Sequence, residues 1–244
     1  MPRSDTLLLL DFDGTVAVGH GPVRAYARAA VAQLPTADQR AVLRQVDAGL
    51  AAFDGDGSGP GGAPLDGYDL VRMLAEEHGV GPHALSAAYL ASRHALATDQ
   101  APISAPPGLA DLLAELRTDT TVVLATNAPD IRIREALRVL GLGGLIDRVA
   151  PDAAKPGGMD RLLDSLRVAP AGPVRVLSIG DVWANDLAPV AARGHATALI
   201  SRCPPPEARP MYVGPDMPSL YPVLRDWVQS PSHTPETRLA RAAE

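Results

Sequence analysis

Cysteine is almost missing from this chain: Cys203 is the single one in 244 residues. No intramolecular disulfide and no cysteine metal cluster can form, which suits a reducing compartment. Lysine is equally scarce. Of 22 basic residues, Lys155 is the only lysine and the other 21 are arginines. With 24 prolines and 22 glycines beside them, this is the coding bias of a GC-rich genome, and it makes the position of the one lysine informative. No Lys/Arg run stands out, and the formal net charge is −6 with a pI of about 5.5. That balance argues against nucleic acid or an anionic membrane surface as partner, while leaving room for a small anion at a locally positive site. Long apolar runs are absent too. The one near the start, Leu7–Leu10, ends in Asp11, too short for a signal segment or a membrane span, so the expectation is a soluble, cytoplasmic protein. There is no P-loop. Gly141-Leu142-Gly143-Gly144 follows a helical pattern instead of a strand and lacks dinucleotide-fingerprint spacing, so it reads as a helix C-cap.

What is present begins with Thr6–Leu10, an apolar strand of the kind buried on both faces, running straight into Asp11 and Asp13. Gly14 then lets the backbone turn close to a bound group, and Thr15 offers a hydroxyl. From about 16 to 105 the apolar spacing turns helical, with helices expected near 22–34, 37–51, 66–78 and 82–98, Thr36 as an N-cap and Gly79 closing the third. Asp54–Gly62 starts like a calcium loop but has Pro60 at the seventh position and Leu65 at the twelfth, where a bidentate acid belongs; a linker or specificity loop is the better reading. From Pro106 helix and strand alternate: helices over 108–116, 129–140, 157–167, 184–193 and 219–229, strands over 120–125, 145–149, 174–179, 196–200 and 211–213. Such alternation predicts a Rossmann-like α/β core with a parallel sheet, formed by 1–18 and 104–229, interrupted by an all-helical unit over 19–103 and followed by a frayed tail over 230–244.

Each core strand then delivers polar groups at its carboxyl end, where open parallel sheets place their ligands. The first gives Asp11 and Asp13, the second Thr126 and Asn127, the loop after the third Lys155, and the fourth Gly180-Asp181 with Asn185 and Asp186 beyond. Four acids sharing one crevice repel each other unless a cation joins them, and hard oxygen ligands suit Mg²⁺. Mg²⁺, one lysine and one threonine hydroxyl make a cradle for a transferring phosphoryl group.

The stretches Asp11-Phe12-Asp13-Gly14-Thr15, Thr126-Asn127, Lys155-Pro156 and Gly180-Asp181 with Asp186 resemble motifs I to IV of the haloacid dehalogenase superfamily, in the family's order. The helical insertion resembles its C1-type cap. The resemblance implies Asp11 as nucleophile, forming an aspartyl-phosphate, and Asp13 as general acid and then base. It implies Thr126 and Lys155 as phosphoryl binders, with Asn127 and Gly14 beside them. Asp181 would hold Mg²⁺ with Asp11 and the backbone carbonyl of Asp13, supported by Asp186 and Asn185. Within that resemblance, the second carboxylate of Asp13 argues against dehalogenation. A cap without lysine offers no Schiff base. In the cap, His20, Arg24, Arg72, Arg93 and His94 are polar residues near the expected mouth; Arg24 and Arg93 are the better candidates for reading a second anionic group. The expected activity is Mg²⁺-dependent hydrolysis of a small phosphorylated metabolite by a monomer or homodimer. The alternatives are a phosphomutase with the same groups, or a non-catalytic binding or regulatory protein on this fold.

Overall fold

A computed structural model describes residues 5–54, 64–170 and 173–230. All but the first residue of the stretch 54–62, where the calcium-loop question sits, and the expected tail beyond 230 therefore lie outside the described residues.

Strand β1 (Thr6–Leu10) owes its central place to four leucines with no polar face to expose. It is flanked by β2 (Thr121–Ala125) and β4 (Arg175–Gly180), and with β3 (Arg148–Ala150), β5 (Ala196–Ile200) and β6 (Tyr212–Gly214) forms a six-stranded sheet in the order β3-β2-β1-β4-β5-β6. All pairs are parallel. Alternation along β1 divides the core. Leu8 and Leu10 pack under α5 (Leu109–Leu116), α6 (Ile133–Val139) and α9 (Met217–Gln229), while Leu7 and Leu9 face α7 (Met159–Ser165) and α8 (Ala188–Ala192). The order reverses beside β1, which is the switch point where a doubly wound sheet opens a crevice. Leu10 is in register with Leu124 on one side and Ile179 on the other, so Asp11, Thr126 and Asp181 emerge close together.

Between β1 and α5 the chain makes four helices, α1 (Gly21–Ala30), α2 (Thr36–Asp54), α3 (Gly67–Glu77) and α4 (Pro82–His94). They bury their own apolar cluster, with Val23, Tyr26, Ala27, Val42, Val46, Leu50 and Val71 at its centre. The two connectors to this unit pair with each other through Val18 and Ser104, at 2.8 and 3.0 Å. Among the described residues no helix is long and apolar enough to cross a membrane.

Several boundaries differ from those expected. Thr36 is the first helical residue of α2 rather than its cap; the Gln39 side chain donates back to the Leu34 carbonyl at 2.8 Å and so ties down the chain entering it. Gly79 does close α3, at φ +81°. Strand β3 starts at Arg148, because Leu145 and Ile146 fill the core from a turn and not from a strand. Helix α6 starts at Ile133, after Arg132 at φ 56°, which leaves the loop after β2 free to carry side chains to the crevice. The helix expected over 184–193 is broken: a π-helical turn, Trp183–Leu187, precedes α8. Pro189 has no N–H to give to the Asn185 carbonyl, so the regular ladder cannot run through, and a widened turn is the outcome.

Candidate active site

Lys155 is the centre of the crevice. Its Nζ donates to Asp11 Oδ1 and Asp186 Oδ1, each at 2.6 Å, and to the Ala125 carbonyl at 2.9 Å. The side chain is 3% exposed. Its loop is laced to the loop after β2: Asn127 Nδ2 donates to the Lys155 carbonyl at 2.9 Å, Asn127 Oδ1 accepts the Lys155 N–H at 2.6 Å, and Asp152 and Ala153 donate to the carbonyls of Ala128 and Thr126, each at 2.9 Å. These bonds hold Asp152 and Ala154 at positive φ, a conformation that needs such support. Asn127, expected beside a phosphate, thus has both side-chain polar atoms committed to positioning Lys155. Thr126 Oγ1 accepts from the Ala128 N–H at 3.0 Å, which leaves its own proton to donate.

Asp11, Asp181 and Asp186 each place a carboxylate oxygen within 4.8 Å of the others. Asp186 is buried and held by Lys155 and by the Val182 N–H at 3.1 Å, a bond that the π-helical turn closes; Asn185 is the preceding residue of that turn. Burial first, and then the Asp186 charge, push Asp11 up to about 7 against the opposing pull of Lys155. Burial and the charges of Asp11 and Asp186 hold Asp181 well above the usual carboxylate range. Burial opposes the charge of Lys155, yet the two carboxylates outweigh it and keep its pKa above that of an ordinary lysine. Three hard oxygen donors that resist ionising together fit a bound dication such as Mg²⁺. Gly14 is part of that fit. It sits at φ +84°, and a Cβ there would collide with the Asp181 carboxylate at Oδ2. Gly14→Ala should therefore displace Asp181 and weaken Mg²⁺ binding by roughly tenfold or more, read by calorimetry; unchanged affinity would remove Asp181 from the ligand set.

Metal binding should also report the raised Asp11. Below about pH 7 its carboxyl is protonated in the metal-free protein, so Mg²⁺ must displace the proton and binds more weakly as pH falls. Between pH 8 and pH 6 the apparent affinity should drop by about tenfold. In the absence of metal the sign for folding is opposite: an acid raised above its unfolded value stabilises the fold at low pH and loses that contribution as pH rises through about 7. Mg²⁺ should accordingly raise the melting temperature more at pH 8 than at pH 6.

Asp13 points to the helical insertion. Both of its carboxylate oxygens accept from Arg93 Nη1 at 3.1 Å, and Tyr68 Oη approaches Oδ1 at 3.4 Å. Tyr68, on α3, is steadied by a tilted contact with Tyr26 and an edge contact with Tyr89, centroids 6.0 and 5.6 Å away. Asp66, which caps α3 by accepting the Asp69 N–H at 2.8 Å, adds a further acid; burial raises its pKa, with a small push from Asp13. Neither Tyr68 nor Asp66 stood out in the sequence, where one reads as a core aromatic and the other as a cap. Two of the other insertion candidates are paired elsewhere. Arg24 pairs with Asp47 at 2.8 Å, and Arg72 with Asp69 and Glu76 at 2.6 Å. His20 and Arg24 instead line an open cavity of about 880 Å³ with Arg28, Ser92, Asp99 and Gln100, to which none of the strand-end acids contributes. His94 is exposed.

Solved structures of the same architecture exist. A HAD-hydrolase assignment from Bacillus subtilis, determined bound to magnesium, aligns with a TM-score of 0.59 and 17% identity over 91% of this chain and 99% of its own. A HAD phosphatase from Thermococcus onnurineus aligns at 0.54 and 18% identity, covering 90% and 97%. A 2-haloacid dehalogenase from Pseudomonas syringae pv. Tomato aligns at 0.53 and 14% identity, covering 91% and 99%. No protein-family model and no curated protein matches the chain. At these identities the likeness shows the fold, shared by phosphatases and dehalogenases alike.

Proposed function

From this haloacid dehalogenase fold, we propose that the protein is a Mg²⁺-dependent phosphatase acting on a small phosphorylated metabolite through an aspartyl-phosphate. The observation that carries the reading is Asp13. It is a second carboxylate, two residues from Asp11, that takes no part in the bridge of Lys155 to Asp11 and Asp186 and is held in place from the insertion. A nucleophile alone would serve displacement of a halide; a second carboxyl that can give and take a proton is what an ester leaving group and an attacking water require.

The insertion acts as a cap, with Val18 and Ser104 at its root. Asp11, Asp181 and the Asp13 carbonyl would hold Mg²⁺, which supplies the charge that lets these acids and a phosphate dianion share the crevice. Lys155 fixes the Asp11 carboxylate through Oδ1 and faces the phosphoryl group as a point charge. Thr126 donates its hydroxyl proton to a phosphoryl oxygen. Asp11 then forms a bond to phosphorus as the ester P–O bond breaks, and Asp13 gives its proton to the departing alcohol. In the second half Asp13 takes a proton from water, whose oxygen attacks phosphorus and frees Asp11.

A panel of phosphate monoesters with Mg²⁺ or chelator tests the reading. Metal-dependent release of inorganic phosphate is expected. Halide release from 2-haloacids with the ester panel inert would make the protein a dehalogenase, and turnover that needs a bisphosphate primer would make it a mutase.

A further inference from the structure

Arg93 is the largest fully buried side chain among the described residues, with 0% exposure. One nitrogen explains only part of it. Nη1 donates to both oxygens of Asp13 and to Tyr68 Oη, all at 3.1 Å. Nε and Nη2 are buried and have no hydrogen-bond partner among the described residues. Other arginines of the cap are spent outward: Arg24 on Asp47, Arg28 on the Gln100 carbonyl, Arg72 on Asp69 and Glu76. A buried guanidinium with three of its five N–H groups unmatched is unfavourable until an acceptor arrives.

The unmatched part has a definite shape. Nε and Nη2 form the side of the guanidinium that presents two parallel, coplanar N–H groups, the fork that fits a carboxylate. Tyr68 adds a third donor, because the one acceptor it has among the described residues, Asp13 Oδ1, lies at 3.4 Å, long for an O–H···O bond. Resting on the phosphatase reading, we propose that Arg93 and Tyr68 determine specificity, and that the substrate is a short phosphate monoester bearing a carboxylate, which Nε and Nη2 bind side-on. The carboxylate lies close to the phosphoryl group, since Nη1 of the same guanidinium touches Asp13. A neutral sugar or alkyl chain would leave both donors buried without a partner.

The test uses ω-carboxyalkyl phosphates of two, three and four carbons against methyl-ended alkyl phosphates of matching length, with the α,ω-bisphosphates as a third series. The wild-type protein should prefer the carboxylate esters in kcat/KM by about 100-fold or more at the best length, because a site built to hydrogen-bond a substrate's polar group rejects analogues that leave its buried donors unpaired. In Arg93→Gln the ratio should collapse to near one. Arg93→Lys, which keeps the charge but not the paired edge, should retain only a small part, and Tyr68→Phe should lose a few-fold. Comparing two substrates in one variant cancels any general damage around Asp13. A wild-type ratio near one with alkyl phosphates hydrolysed overturns the inference and leaves the phosphatase reading standing. So does a ratio unchanged by Arg93→Gln, or a preference for the bisphosphates. If no ester is hydrolysed, the phosphatase reading fails and calorimetric binding decides the inference. Tighter binding of the carboxylate series, lost in Arg93→Gln, supports it, and equal affinities overturn it.

Discussion

Turnover of Asp11→Asn should fall by on the order of 10⁴-fold or more, with the fold retained. The amide keeps the shape of the carboxyl but cannot attack phosphorus, and no other carboxylate can substitute: Asp186 is tied to Lys155 and the Val182 N–H, and Asp13 is held by Arg93. Stability separates this loss from unfolding. Asp11 is raised to about 7 by burial and by Asp186, so above that pH its ionised form is a burden on the metal-free protein. The neutral amide removes that repulsion while Lys155 keeps Asp186 as partner. Metal-free Asp11→Asn should therefore melt no lower than the wild type at pH 8, and its Mg²⁺ response should shrink. An inactive variant that also melts far below the wild type would mean that the side chain is structural.

Lys155→Met carries the second large effect. Its ammonium is the sole basic contact of Asp11 and of Asp186 recorded among the described residues, and both acids lie in a crevice that leaves them 11% and 4% exposed. Removing one member of a buried ion pair costs about 3–5 kcal/mol, and two carboxylates lose their partner here at once. The penalty should be greatest above pH 7. At lower pH the acids protonate and the defect shrinks, and Mg²⁺ should restore part of the loss. Activity should fall by about 10²–10³-fold even where the variant is folded, as for loss of one transition-state donor. Lys155→Arg should not rescue it. A single nitrogen makes three contacts of 2.6 to 2.9 Å, and a planar guanidinium cannot converge on one point in that way. Equal stability of Lys155→Met and wild type at pH 8 would contradict the bridge.

The parts of the site that the sequence makes readable are those set by strands. Leu7–Leu10 has no polar face, so it must be central, and whatever follows it must sit at the sheet's carboxyl edge; Asp11 and Asp181 follow from that geometry. Lys155 is conspicuous because arginine serves everywhere else. Arg93 is harder to place. It meets Asp13 from 80 residues away, as one of several arginines spread over the insertion's helices, and only the packing of α4 beside the loop after β1 selects it over Arg24 on α1. Asn127 shows a different limit: its place beside the crevice was evident, but its partner, the Lys155 backbone, depends on two loops lying side by side. The π-helical turn that aims Asp186 at Lys155 also leaves no periodic trace, since the apolar spacing of 184–193 suits an ordinary helix.

The central claim is that Asp11 carries the phosphoryl group. Acid-quenching the protein during turnover of a hydrolysed phosphate ester with Mg²⁺, followed by digestion and mass spectrometry, reads this directly. The account predicts a phosphorylated peptide containing Asp11, discharged when unlabelled substrate is exhausted and missing from Asp11→Asn. Steady phosphate release with no modification at Asp11, or with modification at another residue, would contradict it.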